Sequence, residues 1–265
     1  MKKESRGKMP TAIRLVKLEK RFRTKYAVKE VNLTVNKGEL FCFLGPNGSG
    51  KTTTIKMMTG LLEPTAGFVE LVGMDIAKKP IEVKKKMAYV PDQPLIYPKL
   101  TGREYLEFIA SVFEVEDELF EQRMNHYTEL FSLKGRLDEY AGDYSHGMKQ
   151  KLSLCAALIH KPEILFLDEP TVGLDPKSAK ILKSLLRQLC DDGMTVFMST
   201  HILEIAEQMC DRVGIIKDGQ LITVASMDEL KKERGNDSTL EDIFLDLTGD
   251  AESQLLVSSM KEEEV

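Results

Sequence analysis

ELFCFLGPNGSGKTT, residues 39–53, decides the fold. After one leading acid, its first part is apolar without alternation, the pattern of a strand covered on both faces. Its second part fits G-x-x-x-x-G-K-T, and residues 51–62 read as the helix behind it. A buried strand, a glycine loop and a helix start together form a phosphate cradle: backbone N–H groups converge and the helix adds its positive end. Gly45, Pro46, Asn47, Gly48, Ser49 and Gly50, with Lys51, Thr52 and Thr53, are therefore the candidate nucleotide site. Lys51 is expected to reach the β- and γ-phosphates, and the Thr52 hydroxyl to reach Mg²⁺. A loop of this kind serves kinases, switches, motors and pumps alike, so the rest of the chain must choose.

Upstream, residues 12–18 and 31–35 alternate apolar and polar, as half-buried strands of an antiparallel piece do. Further strands are expected at 68–72 and 87–90. From Thr101 the period changes to that of helices, with a possible capping box between Thr101 and Glu104. Three helices follow, the last opened near Ser145, so residues 99–160 read as a helical subdomain inserted into a core of residues 11–98 and 161–225. Strands resume at 164–167 and 195–198. A helix between them has Asp175 as N-cap and Pro176 at its first position. Asp218-Gly219 joins residues 213–217 to 220–224 as a hairpin. Residues 226–250 form a short helical extension, opened by Ser226 with Glu229 three on, and residues 251–265 a polar, loose tail.

The second chemical signal is ILFLDEP, residues 164–170, where an apolar strand ends in two carboxylates. Uncompensated charge is avoided at such a place, so a cation is implied. Asp168 is the candidate to hold Mg²⁺ through water. Glu169, on the other side, could polarise an attacking water.

Composition narrows the partners. The chain has 265 residues and a formal charge of -5. An acidic balance argues against a general nucleic-acid binder. No stretch approaches the roughly 18 apolar residues of a membrane span. MKKESRGKMP, residues 1–10, lacks the apolar stretch of a secretory signal, so a cytoplasmic location is expected. Cys42, Cys155, Cys190 and Cys210 have no metal-ligand spacing and read as reduced packing residues.

YSHGMKQK, residues 144–151, opens a helix with Ser145 and keeps Gly147 beside it, a second phosphate-ready end. With this motif the chain resembles the ATP-binding cassette (ABC) ATPases, whose signature L-S-G-G-Q binds the γ-phosphate of ATP held by another subunit. The resemblance covers about residues 12–248. It implies an α/β, RecA-like P-loop NTPase core, with ATP and Mg²⁺ as cofactors. It further implies a head-to-tail pair of cassettes, with Ser145, His146, Gly147 and Met148 acting across it. Gln93, in VPDQP, matches the glutamine that contacts the metal and senses a membrane partner. Asp175 matches the loop that crosses the dimer. His201 matches the histidine that contacts the γ-phosphate, and Phe22 the aromatic that stacks on adenine, with Tyr26 as second choice. His146, Met148 and Tyr144 depart from the family's glycine, glutamine and leucine.

The activity so implied is ATP hydrolysis by a transporter subunit on the inner face of the membrane, coupled to a separate polytopic permease. Residues 94–110 and 240–249 resemble the export-type members. The rival within the family is a soluble ATPase of the sulfur-cluster assembly kind. A P-loop kinase would have no use for the signature or for His201. A catalytically dead subunit would not need Lys51, Asp168, Glu169 and His201 together.

Overall fold

The computed structural model describes residues 10–234 and 239–249. The tail expected at 251–265 lies outside the described residues.

The chain opens with two long strands, β1 (Thr11–Phe22) and β2 (Lys25–Asn36), paired antiparallel. They run past the expected 12–18 and 31–35 because pairing continues through register shifts as far as Phe22↔Lys25. Beyond the strict alternation the ends are solvated, so period alone could not see them. Then come β3 (Leu40–Leu44), α1 (Lys51–Met58), β4 (Ala66–Leu71), β5 (Met74–Asp75), α2 (Pro80–Lys84) and β6 (Met87–Val90). Helix α1 ends at Met58 rather than at residue 62. The Thr59 hydroxyl bonds back to the Ile55 carbonyl at 2.9 Å, and Gly60 takes φ +65, a left-handed exit that glycine adopts freely.

Three helices follow: α3 (Gly102–Val112), α4 (Asp117–Leu130) and α5 (His146–Ile159). The Thr101–Glu104 capping box is formed at the start of α3. The α/β pattern resumes with β7 (Ile164–Asp168), α6 (Pro176–Asp191), β8 (Thr195–Thr200), α7 (Leu203–Met209), β9 (Arg212–Lys217) and β10 (Gln220–Ser226). Asp218 and Gly219 both have positive φ, 49° and 79°, as a type I′ hairpin turn requires. The chain closes with α8 (Met227–Arg234) and α9 (Leu240–Thr248). Thr239 and Asp242 form a capping box at α9 that sequence reading did not pick out.

Two sheets result. A four-stranded antiparallel sheet has the order β2-β1-β4-β5. A six-stranded sheet has the order β10-β9-β3-β8-β7-β6, parallel except for β10 at one edge. Strand parity sorts the core into two bodies. Leu165 and Leu167 face a cluster that continues through α3, α4, α5 and α6. Ile164 and Phe166 face the other cluster, with Ile55 and Met58 of α1 and the inner residues of the small sheet. The carboxyl ends of β3, β7 and β8 thus open together where α1 begins, as ligand sites of parallel sheets do.

Candidate nucleotide site

Strand β3 delivers the chain to the glycine loop fully buried, and the loop can turn only because of its glycines. A Cβ on Gly50 would stand 2.5 Å from the Ala27 carbonyl oxygen, and Gly50 has φ +110. Gly50 is also the N-cap of α1, and no side chain caps that end. The first N–H groups of α1 are therefore not taken by a capping side chain.

Lys51 is buried, at 6% exposure. Its ammonium donates to the carbonyls of Gly45 at 2.7 Å and Pro46 at 3.2 Å. Burial lowers its pKa, opposed by the charges of Glu169 and Asp168. A cleft of about 210 Å³ lies above it, lined by Asn47, Gly48, Thr52, Thr53, Asp92 and Glu169 among others.

Asp168 ends β7 at 1% exposure. Ser199 of β8, its register partner, donates its hydroxyl to Oδ1. Oδ2 is buried and accepts no hydrogen bond. Burial raises the carboxyl pKa, and the Ser199 hydroxyl, with that of Thr52 nearby, works against the rise; the Thr52 hydroxyl makes no well-formed hydrogen bond to Oδ2. A buried carboxylate with one oxygen unpaired suits a cation. Thr52, on the cleft wall, carries a hydroxyl of the kind that such a cation would take. Among the described residues, no cluster of three or more His, Cys, Asp or Glu could hold a metal by itself. Mg²⁺ takes few protein ligands and completes its shell with phosphate and water. The residues present fit the ion.

Glu169 turns out of the strand with φ 49°, a strained conformation for a non-glycine residue. Its N–H donates to the Ser199 carbonyl at 3.1 Å. The turn puts its carboxylate between two cationic or donor groups: Oε1 is 3.8 Å from Lys51 Nζ, and Oε2 is 3.0 Å from His201 Nδ1. The His201 N–H points at the same Oε2 at 3.4 Å. Lys51, Asp168, Glu169 and His201, spread over 151 positions of sequence, meet at one strand mouth.

The other candidates divide. Phe22 and Tyr26 are exposed at 50% and 39% and line a second cleft of about 260 Å³ with Lys25, Ala27, Gly48, Asp218 and Gly219. Ala27 and Gly48 belong to both clefts, so an aromatic end and a phosphate end adjoin. The Gly219 N–H holds the Ser49 carbonyl at 2.9 Å, fastening the hairpin tip to the loop. Gln93 is exposed on the loop after β6 and does not line the phosphate cleft; Asp92, which sequence reading passed over, does.

Ser145 caps α5 by accepting from the Met148 N–H at 3.3 Å. None of residues 145–148 lines the phosphate cleft of its own chain. His146 packs on Gly173, and a Cβ on Gly147 would stand 2.7 Å from the Gly173 carbonyl. Tyr144, in place of the family's leucine, is buried and donates its hydroxyl to the Arg136 carbonyl at 2.6 Å. The Asp175 carboxylate is engaged within its own chain, with the Ser178 N–H at 2.9 Å, the Ser178 hydroxyl at 2.6 Å and Lys151 Nζ at 2.9 Å. These bonds hold its pKa well below the usual carboxylate range, the Ser178 hydroxyl most of all. Ser199 carried no motif, and β7–β8 register brings it to the site; Asp92, inside VPDQP, reaches it on the loop after β6.

Comparison with known proteins gives the family and the fold. The family model described as ABC transporter matches residues 28–172. The chain belongs to the ABC transporter family. The bacitracin transport ATP-binding protein BcrA of Bacillus licheniformis is 37% identical over 225 residues, 84% of this chain and 72% of that one. The chain spans 42% of the length of other curated relatives that it matches at 36% identity. A solved structure of an ATP-binding subunit of an ABC transporter superposes with a TM-score of 0.86 at 30% identity, covering 90% of this chain and all of that one. A second, the dimeric post-hydrolysis state of the ATP-binding cassette MJ0796 bound to ADP and Pi, gives 0.75 at 26%, covering 81% and 98%. The cassette fold of the family is therefore the fold of this chain.

Proposed function

We propose that this chain is the ATP-hydrolysing subunit of an ABC transporter, working as a pair of cassettes that drives a separate polytopic permease in the direction of export. The observation that carries the reading is the placement of Glu169, held between Lys51 and His201 beside the unpaired oxygen of Asp168. Phe22 or Tyr26 stacks the adenine, and the glycine loop, Lys51, Thr52 and Thr53 hold the phosphates. Thr52 and Asp168 hold Mg²⁺, and Gln93 joins them as its loop closes. The ion, when bound, neutralises charge that builds on the transferred phosphoryl group. On phosphate binding Lys51 exchanges its loop carbonyls for phosphate oxygens, which frees Glu169 to accept a proton from the attacking water. His201 orients that water and contacts the γ-phosphate. Ser145 and Gly147 of the second cassette complete the site, with His146 and Met148 beside them and Asp175 near the crossing. In this reading residues 99–160 move against the core of residues 11–98 and 161–225.

No helix among the described residues is long and apolar enough to cross a membrane, so the reading puts the membrane path in the permease and the cassette on the inner membrane face. A groove of about 380 Å³ between β6, α3 and α5 has mostly apolar walls, with Leu61 and Leu95 exposed at its rim. It suits an apolar segment of the permease. The name of the bacitracin relative supports transport, and the solved dimer supports a pair of cassettes.

The test uses Glu169→Gln. ATP binding should survive while hydrolysis falls roughly a hundredfold or more. The variant with ATP and Mg²⁺ should dimerise and bring down a polytopic membrane protein from solubilised membranes. Unchanged hydrolysis would remove Glu169 from its role. Recovery of soluble partners alone would move the chain to the non-transport ATPases.

A further inference from the structure

Tyr89 lines neither the phosphate cleft nor the aromatic cleft beside it. Parallel pairing sets Tyr89 of β6 opposite Phe166 of β7. Its ring therefore lies on the sheet face shared by Phe166 and by Asp168, two residues further along β7. The hydroxyl oxygen of Tyr89 is buried and has no hydrogen-bond partner among the described residues. Asp168 Oδ2 is in the same condition. A buried donor and a buried acceptor thus share one face of adjacent strands without bonding to each other. Burial, then the charges of Asp168 and Asp92, raise the phenol's pKa, so it stays protonated and able to donate. Asp92 itself lines the phosphate cleft with Thr52. Tyr89 is also among the residues that line the apolar groove, beside Ala88 and Pro91, a duty that phenylalanine would serve equally.

We propose that Tyr89 is a positioning residue for the metal site: its hydroxyl donates toward Asp168 Oδ2 through an intervening water and holds that carboxylate in the orientation that would suit Mg²⁺. The inference rests on the Mg²⁺–ATP reading above. It explains why a hydroxyl stands where packing alone asks for none. It also gives the groove and the metal site one residue in common.

The experiment is Tyr89→Phe in the full chain, with ATP affinity measured by calorimetry in Mg²⁺ and in EDTA, beside the melting temperature. The melting temperature should equal or exceed that of the parent, since a buried unpaired hydroxyl is removed. Affinity in EDTA should be unchanged. The gain in affinity that Mg²⁺ confers should shrink by about two- to tenfold, the worth of one hydrogen bond. An unchanged Mg²⁺ gain overturns the proposal, and so does an equal loss in EDTA, which would mark a structural role in the cleft. If the parent itself gains nothing from Mg²⁺, the proposed function fails and this inference falls with it.

Discussion

Helices α1 and α6 begin in opposite ways. At α1 the N-cap is Gly50, in a conformation that side-chain-bearing residues avoid, and no side chain caps the N–H groups that follow. At α6 the N-cap is Asp175, whose carboxylate takes the Ser178 N–H and then Lys151 as well. A helix start that stabilises a fold is closed by its own chain. One that waits for an anion is left open, and the anion completes it. Helix α5 stands between them. Its cap is Ser145, a neutral group that satisfies one N–H and stays exposed.

Gly50→Ala should break the open end most severely. The added methyl meets both the Ala27 carbonyl and a positive φ, a strain of about 1–3 kcal/mol. Nucleotide affinity should fall roughly ten- to a hundredfold, read by calorimetry with ATP and Mg²⁺. An alanine variant that binds ATP as the parent does would show that the open end is not the binding determinant.

Asp175→Ala should break the closed end, with a smaller effect. It removes the cap and the partner of Lys151, and the melting temperature should fall by a few degrees. The sign with pH follows from the depressed pKa of Asp175. Its contribution is complete above the ordinary carboxylate pKa near 4 and is lost as pH falls through the lower folded value. Parent and variant should therefore differ at pH 7 and converge in strong acid. A constant difference down to pH 2 would assign the effect to packing instead.

The same contrast governs what could be read before any coordinates. The glycine loop and the acids at the end of β7 were legible because their chemistry is local: a few adjacent residues make the cradle, and two carboxylates closing an apolar strand stand out in the sequence. The caps Thr101, Ser145 and Asp175 were legible for the same reason. The bond of Ser199 to Asp168 was not, because it depends on β7–β8 register across 31 positions. Asp92 and Gln93 are neighbours, and only the path of the loop decides which lines the cleft. The short α2 and α7 escaped because five and seven residues hold too few turns for a helical period to emerge. The end of α1 was overrun because Leu61 and Leu62 continue the apolar pattern after Thr59 and Gly60 have already turned the chain.

Ser145→Asp sharpens the comparison with the smallest change in stability. Aspartate caps a helix at least as well as serine and adds a favourable charge at the positive end. The melting temperature should stay within about a degree of the parent or rise slightly. If α5 is only another structural helix, like α6, hydrolysis should also be unchanged. If its start faces the γ-phosphate of the second cassette, the new carboxylate repels that anion. Hydrolysis and ATP-driven dimerisation should then both fall several-fold, while ATP binding to the single cassette holds. Ser145→Asn caps equally well without the charge and should keep most of the activity. Two variants of equal stability and unequal hydrolysis would place α5 with α1 among the helix ends that meet phosphate; two variants of equal hydrolysis would place it with α6.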